Sequence, residues 1–189
     1  MIGAGRVVRV AALAVGGVLL VAGCSSGGGT TKTSAAASST SAAEASDVPA
    51  GYDPCTDIPQ SVLDQLQWTS KIPQKNSADD GTVWRGCGWA KPNYYAVAVY
   101  VTNATLARVL AQNYQDPQQF TVDGRKAIST RQVPDHPNQQ CTVDVQIKGG
   151  SLEIFLSNGE GLGPGSSMNS CDMARDAVQQ IVPTLPATL

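Results

Sequence analysis

Five cysteines constrain this 189-residue chain more than any other feature. Cys24 directly follows a short apolar run. Cys55, Cys87, Cys141 and Cys171 are spread through the remainder. An even set in an exported chain reads as two disulfides. Three connectivities are possible, and sequence alone does not choose among them. Cys55–Cys87 with Cys141–Cys171 is favoured, because each bond then staples one terminal helix to a nearby strand. The rival use of four thiols is a zinc site. It lacks a Cys-x-x-Cys pair, and His136 is the single histidine. No metal and no cofactor is expected.

Export is read from the first residues. Arg6 and Arg9 give a positive start, and Val10 to Ala22 carry no charged or polar side chain. At ~1.5 Å per helical residue that run reaches about 20 Å, short of the ~30 Å hydrocarbon core, so a permanent transmembrane helix is disfavoured. Ala22 and Gly23 are small enough for a narrow peptidase groove, and Cys24 supplies a thiol that can be acylated. Val21-Ala22-Gly23-Cys24 resembles the bacterial lipobox. That resemblance implies cleavage between Gly23 and Cys24, acyl chains such as palmitate on Cys24, and attachment to the outer face of the cell membrane.

Residues 1–23 are therefore expected to be a lipoprotein signal peptide. Residues 24–50 form the lipidated cysteine and a disordered Ser/Thr/Gly/Ala tether, and 51–189 a single extracytoplasmic domain. The tether has too little apolar bulk to offset its ordering entropy. The chain carries 13 Lys/Arg against 15 Asp/Glu, with no basic cluster. Nucleic acid is not an expected partner.

Within the domain, Ile58-Pro59 opens a short helix with Val62, Leu63 and Leu66 on one face. Lys71 to Gly81 is polar and ends in the turn signal Asp79-Asp80-Gly81. Thr82 to Ala90 reads as a strand carrying Trp84, Cys87 and Trp89. Tyr94 to Val101 is apolar on both faces and should be the most buried strand. Asn103 is placed as the cap of a helix running to about Gln112. Extended runs follow around Phe120-Thr121-Val122 and Ala127 to Thr130.

The clearest hairpin comes next. Cys141, Val143, Val145 and Ile147 alternate with polar residues, Gly149-Gly150 turns the chain, and Leu152, Ile154 and Leu156 alternate again. Its polar face, with Asp144 and Glu153, is read as wet. Asn169 or Ser170 caps a last helix whose Cys171, Ala174, Val178 and Ile181 recur at helical spacing. The expected fold is α+β, an antiparallel sheet of about five or six strands with helices packed on it.

A further resemblance rests on the lipobox, the tether, Asp53-Pro54-Cys55, Cys87-Gly88-Trp89, Cys141 heading a strand and Cys171 heading a helix. Over about residues 52–185 the chain resembles a family of actinobacterial envelope lipoproteins, abundant in mycobacteria and nocardiae, built on a domain of unknown function. The resemblance implies two disulfides and membrane anchoring. It brings no catalytic residues with it.

No stretch reads as catalytic. His136 sits between Asp135 and Pro137 in a polar loop, and a Gly-x-Ser-x-Gly elbow is absent. Asp79 and Asp80 are adjacent but lie in a turn. Glu153 is expected on a wet strand face, without the apolar setting that raises a carboxyl pKa. Gly159 to Gly165 is glycine-rich but lacks Gly-Lys-Ser/Thr, so a phosphate loop is not supported. Trp84, Trp89 and Tyr95 are candidate ligand-facing aromatics, with a core role as the plainer reading. The expectation is a non-catalytic binding or interaction module with an envelope protein, lipid or glycan as partner. A lipid or glycolipid carrier stands second and an envelope hydrolase third.

Overall fold

A computed structural model describes residues 46–132, 138–159 and 163–189. The proposed signal peptide, Cys24, most of the tether and His136 lie outside these residues. Seven strands form one antiparallel sheet: β1 (Thr69–Ser77), β2 (Val83–Lys91), β3 (Tyr95–Thr102), β4 (Gln115–Val122), β5 (Arg125–Arg131), β6 (Gln140–Ile147) and β7 (Gly150–Ser157). Among the described residues four α-helices accompany it: α1 (Pro54–Asp57), α2 (Gln60–Leu66), α3 (Leu106–Ala111) and α4 (Ser170–Ile181). The fold is thus mostly sheet, with more strands than the pattern suggested.

The order across the sheet is β1-β2-β3-β7-β6-β5-β4. Two meanders, β1 to β3 and β4 to β7, meet where β3 pairs with β7. Asp123-Gly124, both at positive φ, close the β4–β5 hairpin, and Lys148-Gly149 close β6–β7. The chain leaving β3 at the middle must therefore travel to the far edge to start β4. That crossover contains α3, which packs against β6.

Strand period sorts the side chains into two faces. One face carries Cys87, Val97, Val99, Val101, Val143, Val145, Leu152, Ile154 and Leu156, all part of one buried cluster. α4 covers it with Ala174, Ala177, Val178 and Ile181, each fully buried. Cys55 bonds Cys87, joining α1 to β2, and Cys141 bonds Cys171, joining β6 to the start of α4. The Cα–Cα distances are 5.2 and 5.0 Å, within the usual disulfide range. The favoured pairing is the one the structure holds.

β1 and the first five residues of β4 escaped the sequence reading for a shared reason. β1 and most of β4 are sheet edges with both faces exposed. They have no apolar period to betray them, and Pro73 and Pro117 suit edge positions. A second correction concerns Asn103. Thr105, not Asn103, caps α3, its hydroxyl accepting from the Arg108 amide at 3.3 Å. The Asn103 side chain is buried elsewhere: it accepts from the Val83 amide at 2.9 Å and donates to the Gly81 carbonyl at 3.0 Å. It pins the β1–β2 turn to the end of β3.

Candidate functional site

The opposite face of the sheet carries Trp84 on β2, Tyr100 on β3, Glu153 and Phe155 on β7, and Thr142 and Asp144 on β6. The crossover from β3 to β4 roofs part of it. Between roof and sheet lies a cavity of about 300 Å³. Its floor includes Trp84, Thr142, Asp144, Glu153 and Phe155, and its roof includes Arg108, Val109 and Tyr114.

At the centre of the floor stand two carboxyls. Asp144 and Glu153 are direct cross-strand partners on β6 and β7. Such partners have Cβ atoms only about 4.5–5.5 Å apart. Asp144 is 1 % exposed and accepts from the Ser151 hydroxyl at 2.8 Å. Glu153 is partly exposed and accepts from the Trp84 indole N–H at 2.8 Å. Burial raises the Asp144 pKa well above the ordinary carboxylate range, with the Glu153 charge adding to the rise and the Ser151 bond opposing it. Burial likewise raises Glu153 to about 7, with the Trp84 bond opposing. Desolvation dominates in both, so near neutrality the pair holds a proton that two exposed acids would have lost.

This overturns the reading of the hairpin's polar face as wet. Thr142 and Asp144 are buried on it, Glu153 is half-buried, and only Gln146 is exposed in β6. The physical reason is the crossover, which covers that part of the sheet. The hairpin's own sequence carries no trace of a segment arriving from thirty residues upstream.

The other sequence candidates separate. Trp84 faces the cavity. Trp89 and Tyr95 belong to the buried cluster of the far face. There the Trp68 indole donates to the Tyr95 hydroxyl at 3.1 Å, and Trp68 lies 5.6 Å from Trp89 between ring centroids. Asp80 is exposed in its turn, as expected, yet it serves the cavity. Its carboxylate meets Arg108 at 3.0 Å, and its pKa falls to about 2, chiefly through hydrogen bonds from Thr82 and then Arg108. Asp80 and Glu153 line the same cavity, and Asp79 is not among its lining residues. His136 and residues 160–162 of the glycine-rich loop lie outside the described residues. Among the described residues no group of three His, Cys, Asp or Glu side chains is arranged to hold a metal.

Beside the cavity runs a shallower, more apolar trough of about 340 Å³. Gly88 and Ala98 floor it, Ile72 flanks it, and Tyr100 and Phe155 divide it from the cavity. Gln74 lies over Gly88, where a Cβ would collide with its amide, and it accepts a hydrogen bond from the Tyr100 hydroxyl. Tyr100 is the direct cross-strand partner of Glu153, and Ala98 of Phe155, so trough and cavity abut along two rows of the sheet.

Residues 19–184 match a family described as "Protein of unknown function (DUF3558)". No curated protein and no solved structure matches the chain.

Proposed function

The chain belongs to this family of unknown function, and from that premise we propose that it is a membrane-anchored lipoprotein of the bacterial cell envelope whose extracytoplasmic domain is a non-catalytic binding module. Val21-Ala22-Gly23-Cys24 behind an apolar run supports the anchor, with Cys24 as the lipidated residue. The cavity over Asp144 and Glu153 carries the binding reading: it is concave, mixed in polarity and set on the face away from the disulfides. Accessibility favours binding over hydrolysis. A glycosidase must bring two carboxyls to one bond. Here Glu153 reaches the cavity while Asp144, 1 % exposed, stays beneath it.

Mass spectrometry of the full chain taken from its own membrane tests this reading. Cys24 is expected at the amino terminus with two or three acyl chains. Under native conditions the chain is expected to retain a small molecule that a Trp84→Ala variant loses. An unmodified terminus elsewhere removes the anchor. Turnover of an envelope glycan by the purified chain replaces binding with catalysis. The trough favours a second reading, a carrier of a lipid or glycolipid, because an apolar groove abuts the polar pocket along Phe155.

A further inference from the structure

We propose that the cavity seats a cationic head group, an ammonium or guanidinium held on Glu153, and that the apolar remainder of the same small molecule lies in the trough beside it. This rests on the binding-module reading and names the ligand class.

Charge complementarity is the first support. Among the described residues the cavity contains one protein cation, Arg108, and its guanidinium is held on Asp80, at 3.0 Å from the carboxylate and 2.7 Å from the carbonyl. Those charges cancel at the rim. What remains on the floor is the acid pair, whose leftover charge is negative. Among the described residues the titratable and charged groups around Glu153 are Asp144 from β6, Tyr100 from β3, Tyr114 and Arg108 from the crossover, and Asp80 from the β1–β2 turn. Burial raises both tyrosines, so they stay neutral and add no charge.

The walls are the second support. Trp84, Tyr114 and Phe155 surround the carboxyls. Aromatic faces attract a cation most strongly where water is excluded, and they repel an anion. The trough supplies the tail site. Ala98 leaves room above the sheet beside its cross-strand partner Phe155, which lines both the trough and the cavity.

The test uses the full chain in zwitterionic nanodiscs, labelled with ¹⁵N at tryptophan, with empty discs as blank. The Trp84 indole N–H, identified by its loss in Trp84→Phe, reports on the Glu153 contact. The probes are hexylammonium, hexan-1-ol and hexanoate. Hexylammonium is expected to shift the Trp84 signal with affinity at least about tenfold above hexanol, and hexanoate to leave it in place. Glu153→Gln should remove that tenfold preference of hexylammonium over hexanol. Ala98→Leu, which fills the trough, should weaken hexylammonium and spare methylammonium. Equal response to hexanol and hexylammonium, or preference for hexanoate, overturns the assignment, and needs no variant to fold. If hexyl glucoside moves Trp84 and the amine does not, the binding module stands and the cation falls. If no probe moves Trp84 and no molecule co-purifies, both fall.

Discussion

Asp144 and Glu153 face each other across the β6–β7 ladder on the side of the sheet roofed by α3, not on the side closed by α4. Two like-charged side chains in that position destabilise a sheet when both are ionised. The pair is tolerated because burial keeps it partly protonated. Most of what this molecule does with pH follows from that.

Stability should fall as pH rises from about 4 to 8. In the unfolded chain both acids lose their protons near pH 4. In the folded chain both hold them to higher pH, Glu153 to about 7. The folded state therefore binds more protons between those values. Its advantage is complete below the unfolded pKa and is lost as pH climbs through the folded one. Glu153 alone would contribute roughly 3 kcal/mol over that window. Calorimetric melting of the native chain should show Tm falling across the window. In Asp144→Asn, which keeps an acceptor for Ser151 but removes the like charge, the slope should be smaller. A flat profile in the native chain would show that the pair is ionised in the fold.

The two acids were half legible. Counting outward from the turn at Lys148-Gly149 pairs Ile147 with Gly150, and so Asp144 with Glu153. The hairpin pattern put the turn one residue later, at Gly149-Gly150, which would set Asp144 against Phe155; only the true register brings the two acids opposite each other, as a like-charged cross-strand pair. Burial was not available, because it depends on the crossover through α3. The same division runs through the fold. The hairpin, β3 and α4 announce themselves because one face of each is apolar at a fixed period. β1 does not, nor does β4 before Phe120, being exposed on both faces. Trp84 and Trp89 both sit on β2, but five residues apart in a strand means opposite faces. Which face held the core was set by α4 and the disulfides.

Opening Cys141–Cys171 should destabilise the domain by about 3–4 kcal/mol in the chain-entropy account. The bond spans 30 residues and ties β6 to the first turn of α4. A Cys141→Ala, Cys171→Ala double variant replaces both sulfurs with small apolar groups and leaves no free thiol. Urea unfolding should give a lower midpoint, with the cavity residues on the other face retaining the Trp84 indole signal in the folded fraction. An unchanged midpoint would mean that packing of Ala174, Val178 and Ile181 alone sets the stability of this layer.

Asn103→Ala should cost about 2 kcal/mol, because it leaves the Val83 amide and the Gly81 carbonyl without the partner that Asn103 gives them. The turn they hold carries Asp80, and Asp80 holds Arg108 at the cavity rim. Loss of stability should therefore come with faster amide exchange across residues 78–83. A variant with native exchange in that turn would show that the ladder, not Asn103, positions the rim.

Trp84→Phe should raise the Glu153 pKa further. The indole N–H donates to Glu153 at 2.8 Å and favours the ionised form, opposing the desolvation that dominates. Phenylalanine keeps an aromatic wall but has no donor. A hydrogen bond to a charged group contributes about 1.5–3 kcal/mol, which corresponds to roughly one to two pKa units. Carboxyl-carbon NMR of the native chain and the variant measures the shift directly. The native midpoint is expected near 7, with the variant above it. The variant's stability should also decline over a pH window that extends further into the alkaline range, since the folded state then holds the proton longer. An unmoved midpoint would mean that the indole does not bond the carboxylate in solution, and Trp84 would be a wall of the cavity and nothing more.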